Sequence, residues 1–151
     1  MNPEKPHRGY LATLFGCYCP RCREGKMFEH PLSIRLKGIL KMHERCPVCG
    51  QISDIEVGFY YGTGYVSYFI GIFISLASLL LWWLLIGFSF HDNRFLYWVV
   101  GNSIFLAVLQ PWLMRFSRIL WLSWFVHYDP EWRQHPAPDH ERINKEQMGN
   151  W

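Results

Sequence analysis
Apolar and polar positions divide the chain into unlike stretches. Residues 57–90 contain no Lys, Arg, Asp or Glu across 34 positions, in a chain that is 18% charged. Residues 95–114 form a second uncharged run of 20. About 20 apolar helical residues cross a bilayer core, so each run predicts a transmembrane helix. The link His91-Asp92-Asn93-Arg94 is short and polar, which makes the two helices antiparallel neighbours. After Met114 the pattern changes, and Phe116, Ile119, Leu120 and Trp124 oppose Arg115 and Arg118. This amphipathic extension, 115–128, is too short to span alone. It predicts either a helix along the inner leaflet, with Arg115 and Arg118 at anionic lipid headgroups, or a continuation of the second helix into the cytoplasm.

The flanks differ from the middle. Residues 1–16 are a polar start leading into the apolar stretch Tyr10–Phe15, which predicts a turn of interfacial helix. Leu11–Phe15 is too short for the apolar core of a signal peptide, so the first spanning helix is expected to act as its own insertion signal. Residues 129–151 carry Pro130, Pro136 and Pro138 among charged and amide residues. They predict a largely disordered tail that buries too little apolar surface to offset its ordering entropy. Lys and Arg number nine before the first run, one in the link and five after the second. Positive charge is retained on the cytoplasmic side, so both termini are expected there and the link outside. Phe59, Tyr60, Tyr61 and Tyr65 mark one interface, and Trp112, Trp121 and Trp124 the other.

Residues 17–56 hold the candidate chemistry. Cys19-Pro20-Arg21-Cys22 is followed, after 23 residues, by Cys46-Pro47-Val48-Cys49-Gly50. Two Cys-x-x-Cys pairs at this separation form two knuckles that close a tetrahedron around one ion. The expected cofactor is one structural zinc per chain, bound by Cys19, Cys22, Cys46 and Cys49. Iron in a rubredoxin-like site is the competing reading, against which Arg23 stands where a second such knuckle has Gly. Disulfides are disfavoured on a cytoplasmic side, and nothing around either pair suggests the βαβ unit of a thioredoxin-like redox pair. Cys17, His30 and His43 are expected to be bystanders. Between the knuckles Met27, Phe28, Leu32, Ile34, Leu36, Ile39, Leu40 and Met42 are the candidate miniature core. So small a module needs its metal to fold. The fold class is therefore a small cytoplasmic zinc-ribbon or knuckle module followed by an all-α two-helix transmembrane hairpin.

Within the hairpin, Gly64, Ser67, Gly71, Ser75 and Ser78 form a narrow face of small residues, and Gly101 and Asn102 sit opposite in the second run. In lipid such a face lets helices approach closely. The expectation is packing within the hairpin, with another protein or a second copy of the chain as alternatives. Asn102 is expected to bond across the helices, and Pro111 to kink the second one.

The order of Cys19-Pro-Arg-Cys22, Gly25-Lys-Met-Phe28, Cys46-Pro-Val-Cys49-Gly50, two apolar helices and a basic exit resembles the bacterial membrane family named domain of unknown function 983. Gly58-Phe-Tyr-Tyr-Gly62 leading to Tyr65-Val-Ser-Tyr68 is similar to its Bacteroidetes branch. The resemblance covers roughly residues 15–128. It implies a two-pass inner-membrane protein and carries no established activity, although some members are associated with cytochrome oxidase assembly.

No activated nucleophile, paired catalytic carboxylates or phosphate-cradling loop stands out, so an enzyme is not expected. The expected function is a non-catalytic interaction or assembly factor for a membrane complex, with lipids and another membrane or cytoplasmic protein as partners. An inner-membrane enzyme or a haem or metal carrier using His91, His127 or Met114 is one alternative. A membrane-tethered nucleic-acid-binding ribbon is another, though the balance of +3 over residues 1–56 is modest and nucleic acid is not an expected partner.

Overall fold
The computed structural model describes residues 8–31, 38–56, 58–87 and 92–138. Three helices are present among them: α1 (Tyr10–Phe15), α2 (Gly62–Ile86) and α3 (Arg94–Phe125), with a single 3-10 turn, Phe59–Tyr61, leading into α2. No strand forms among the described residues. Three isolated antiparallel bridges, Tyr18 to Lys26, Phe28 to Met42 and Arg45 to Ile52, pin the module instead.

α2 and α3 are long and apolar enough to cross a membrane, and many of their bulky side chains face outward: Phe73 is 76% exposed, Val108 77%. α2 is shorter than the run that predicted it. It starts at Gly62 and stops at Gly87, whose positive φ of 81° turns the chain while its N–H still reaches the Trp83 carbonyl at 3.0 Å. Val57 and residues 88–91, including His91 of the expected link, lie outside the described residues. Arg94, also assigned to the link, is the first residue of α3.

α3 decides between the two readings of the extension after Met114 in favour of a continued helix. The second span and its amphipathic extension are one helix of 32 residues that runs through Pro111. At 1.5 Å per residue that is roughly 48 Å, well beyond the ~30 Å of a hydrocarbon core. The surplus turns are where the module sits. Leu113, Ile119 and Leu122 on α3 are at most 1% exposed. Ile119 and Leu122 share one core with Leu14 of α1, Cys19, Cys22, Met27, Phe28, Cys46 and Val126. The cysteine module therefore does not rest on its own miniature core alone. Met27, Phe28 and Ile39 are buried as expected, while Leu32, Ile34 and Leu36 lie outside the described residues.

Between α2 and α3 the serines meet and the glycines do not. The Ser67 hydroxyl lies 2.8 Å from that of Ser117. The Asn102 amide donates to Ser75 at 3.1 Å and accepts from the Ser78 hydroxyl at 3.0 Å. By contrast, a Cβ at Gly64, Gly71 or Gly101 would meet nothing within 4 Å. The expectation that these three glycines mark close helix packing is corrected. The hairpin closes through hydroxyl and amide side chains, and Gly64 and Gly71 line an open groove of about 630 Å³. Close approach occurs at Gly62, where a Cβ would run into the Trp121 ring.

The tail is also corrected in part. Residues 129–138 are described and return to the module, where Trp132 packs against its core. Residues 139–151 lie outside the described residues.

Candidate metal centre
Two short loops build the site by the same means. In the first, the Cys19 N–H bonds the Gly25 carbonyl at 2.8 Å and the Arg23 N–H returns to the Cys19 carbonyl at 2.9 Å. In the second, the Cys46 N–H bonds the Gln51 carbonyl at 2.8 Å and the Gly50 N–H returns to the Cys46 carbonyl at 2.9 Å. The fifth residue of each loop is left-handed: φ is 57° at Arg23 and 72° at Gly50. Arg23 thus adopts the conformation that a glycine takes without cost. Its side chain is held by the Tyr128 ring, 4.0 Å from the guanidinium carbon, and by the Arg8 carbonyl at 3.2 Å.

The two loops bring the sulfurs of Cys19, Cys22, Cys46 and Cys49 within 4.8 Å of one another. Cys19 Sγ lies 3.7 Å from Cys49 Sγ, and Cys22 Sγ 3.8 Å from Cys46 Sγ. A tetrahedron with metal–sulfur arms of about 2.3 Å has edges of about 3.8 Å. The spacing fits four ligands around one ion, and all five cysteines are free of disulfides. Cys19, Cys22 and Cys46 are buried, so no face of the cluster is left for a water ligand on their side.

Backbone donors complete the surroundings. Gly25 bonds the Cys22 sulfur, Cys49 bonds the Cys46 sulfur, and Gln51 bonds the Cys49 sulfur. Such bonds favour thiolate and orient a ligand. Hydrogen bonds from Cys19, Cys46 and Cys49 hold the Cys22 thiol well below its ordinary range, while Cys19, sharing protons with the same neighbours and buried, is pushed up. Cys46 is lowered to about 7, chiefly by its bond with Cys19. Two of the four thiols are thus held toward thiolate, the form that binds a metal ion. Cys17 takes no part in it; it is half-buried with a positive φ of 56°, and burial raises its thiol against the opposing charge of Arg115. His30 and His43 are likewise outside the cluster.

Three residues matter here that the spacing of the motif did not reveal. A Cβ at Gly25 would stand 2.5 Å from the Cys46 sulfur, so any side chain there displaces a ligand. Arg21, the variable residue of the first loop, is 4% exposed and clasps the tail: it reaches Asp129 at 3.2 Å, the His135 carbonyl at 2.9 Å and the Pro136 carbonyl at 3.2 Å. The Asp129 carboxyl, despite partial burial, is held below its usual range by the Glu131 N–H, Arg21 and His135.

Arg115 and Arg118 both engage the module. Arg115, 5% exposed, donates to the carbonyls of Ile39 (2.8 Å), His30 (2.9 Å) and Pro31 (3.3 Å). Arg118 donates to the Leu40 carbonyl at 2.8 Å and lies over the Tyr60 ring. Both tie the module to α3, because carbonyls of a strandless loop need donors that a helix surface can supply. Of the groups a haem carrier would use, Met114 lines the open groove, His127 is exposed elsewhere, and His91 lies outside the described residues.

No family model matches the chain, and neither does any curated protein or solved structure. The resemblance to domain of unknown function 983 rests on the residues quoted for it.

Proposed function
We propose that the chain is a two-pass protein of the bacterial inner membrane with both termini in the cytoplasm. Its four cysteines hold one structural zinc ion, and the module they stabilise serves as a non-catalytic interaction or assembly surface for a membrane complex, with assembly of a respiratory oxidase as the candidate setting. The observation that carries this reading is the shared core: Ile119 and Leu122 of α3 lie in one cluster with Cys19, Cys22 and Cys46. A metal module built on the end of a hairpin presents its surface at a fixed height and orientation, which suits docking. An all-thiolate, four-ligand site suits zinc and leaves no coordination position for a substrate.

Two measurements test the reading. A periplasm-dependent reporter fused after Trp151 is expected to be silent and one inserted at Asn93 active; the reverse removes the cytoplasmic placement. Affinity purification from membranes through the tail is expected to recover a membrane complex with the parent chain and to lose it with Cys46→Ser. Recovery that is unchanged in this variant removes the zinc module from the interaction.

A further inference from the structure
A second pocket, of about 430 Å³, opens between α1, the segment around Phe28 and the middle of α3. One wall is aromatic: the rings of Phe15 and Trp112 stack with centroids 5.5 Å apart. The other is cationic, with Lys26 and Arg115. The carbonyls that accept from Arg115 satisfy its donors but do not cancel its charge. Among the described residues no carboxylate pairs with Arg115 or Lys26. The acidic group on the wall, Glu29, is already engaged by Lys41 at 2.9 Å.

The depth of this pocket follows from α3. Arg94 and Arg115 are 21 positions apart on one helix. That is roughly 32 Å at 1.5 Å per residue, close to the ~30 Å of a hydrocarbon core. With Arg94 at the outer boundary, Arg115 and Lys26 reach the level of the inner headgroups, and Trp112 lies about one turn deeper.

We propose that this pocket seats one anionic phospholipid of the cytoplasmic leaflet, its phosphate held by Lys26 beside the buried charge of Arg115 and an acyl chain laid against Phe15 and Trp112. This rests on the chain spanning a membrane. The aromatic wall decides for a lipid over a free anion, since inorganic phosphate gains nothing from Phe15 and Trp112 whereas an acyl chain does. The cationic wall decides for an anionic lipid over a zwitterionic one.

Native mass spectrometry of the full chain in detergent tests this, with phosphatidylglycerol and phosphatidylcholine of identical acyl chains as probes. The parent is expected to retain one phosphatidylglycerol in preference to phosphatidylcholine. Lys26→Gln, at an exposed position, is expected to weaken that retention about fivefold, the effect of one unit charge near a membrane surface. Its metal content should stay at the parent's value, which separates a lost site from a lost fold. Arg94→Gln, at the far end of α3, should bind as the parent does. Equal retention of the two lipids, or parental retention by Lys26→Gln, overturns the proposal while a detergent requirement leaves the membrane reading standing. Displacement of the lipid by millimolar inorganic phosphate overturns it in favour of a free-anion site. A chain that stays in solution without detergent overturns both.

Discussion

The two ends of α3 are apolar for different reasons. Toward Arg94 the apolar side chains point away from the protein: Leu96 is 58% exposed, Ile104 61% and Val108 77%. Toward Phe125 one face is enclosed by it, with Ile119 and Leu122 at 0%, while Trp124 and Phe125 stay exposed. Hydrophobicity alone does not tell these ends apart. Burial does, and it shows one backbone serving two surroundings. The first end, in the proposed reading, meets lipid, where an apolar side chain gains little from touching another helix. The second is packed by protein that must exclude water, so each buried methylene stabilises the module.

This difference is sharpest for truncation. Leu122→Ala leaves a cavity beside the cysteine loops and should cost about 2–5 kcal/mol. Limited proteolysis of the purified chain should then cut the module readily and its metal should be lost faster to a chelator. Val108→Ala, on the outward-facing end, should change neither. Similar behaviour of the two variants would mean that the module has its own core and that α3 merely lies beside it.

Glycines give the next largest contrast. Gly62→Ala drives a Cβ into the Trp121 ring, and overpacking of this kind costs about 1–3 kcal/mol. Thermal unfolding in detergent should fall accordingly. Gly71→Leu fills open space instead, so its abundance and melting should match the parent's. A destabilised Gly71→Leu would show that the groove closes on a helix or a second copy in the membrane.

Smaller effects separate the polar seams. Asn102→Leu removes the bonds to Ser75 and Ser78 and should lower the detergent melting temperature slightly, since such interhelical bonds average about 0.6 kcal/mol. Arg23→Gly should come close to neutral in module stability measured by proteolysis. It relieves a left-handed residue, worth about 1–2 kcal/mol, and forfeits a cation–π contact of about 0.5–1 kcal/mol. A large loss would assign Arg23 a greater role than its ring contact with Tyr128.

Much of this was legible in the chain because some signals are local. Uncharged runs and paired Cys-x-x-Cys loops declare themselves within a few residues, and so does the helix Tyr10–Phe15. What stayed hidden depends on partners far away in sequence. The change of pattern at Arg115 left two readings open, and the helix continues because its next turns are covered by a module far earlier in the chain. The proline-rich segment after Asp129 reads as too polar to order, yet Arg21 holds it across 108 positions. Small residues at regular spacing suggested packing, but spacing does not say whether the serines or the glycines of the stripe face the partner. Gly25 read only as part of a family pattern, since the sulfur it must avoid lies 21 residues on.

Elemental analysis of the detergent-purified chain tests the metal module most directly. One zinc per chain is expected in the parent and in Cys17→Ser, and none in Cys46→Ser, whose module should become open to protease. A parent without metal, or equal loss from the Cys17 and Cys46 variants, would contradict a four-cysteine zinc site at the end of α3.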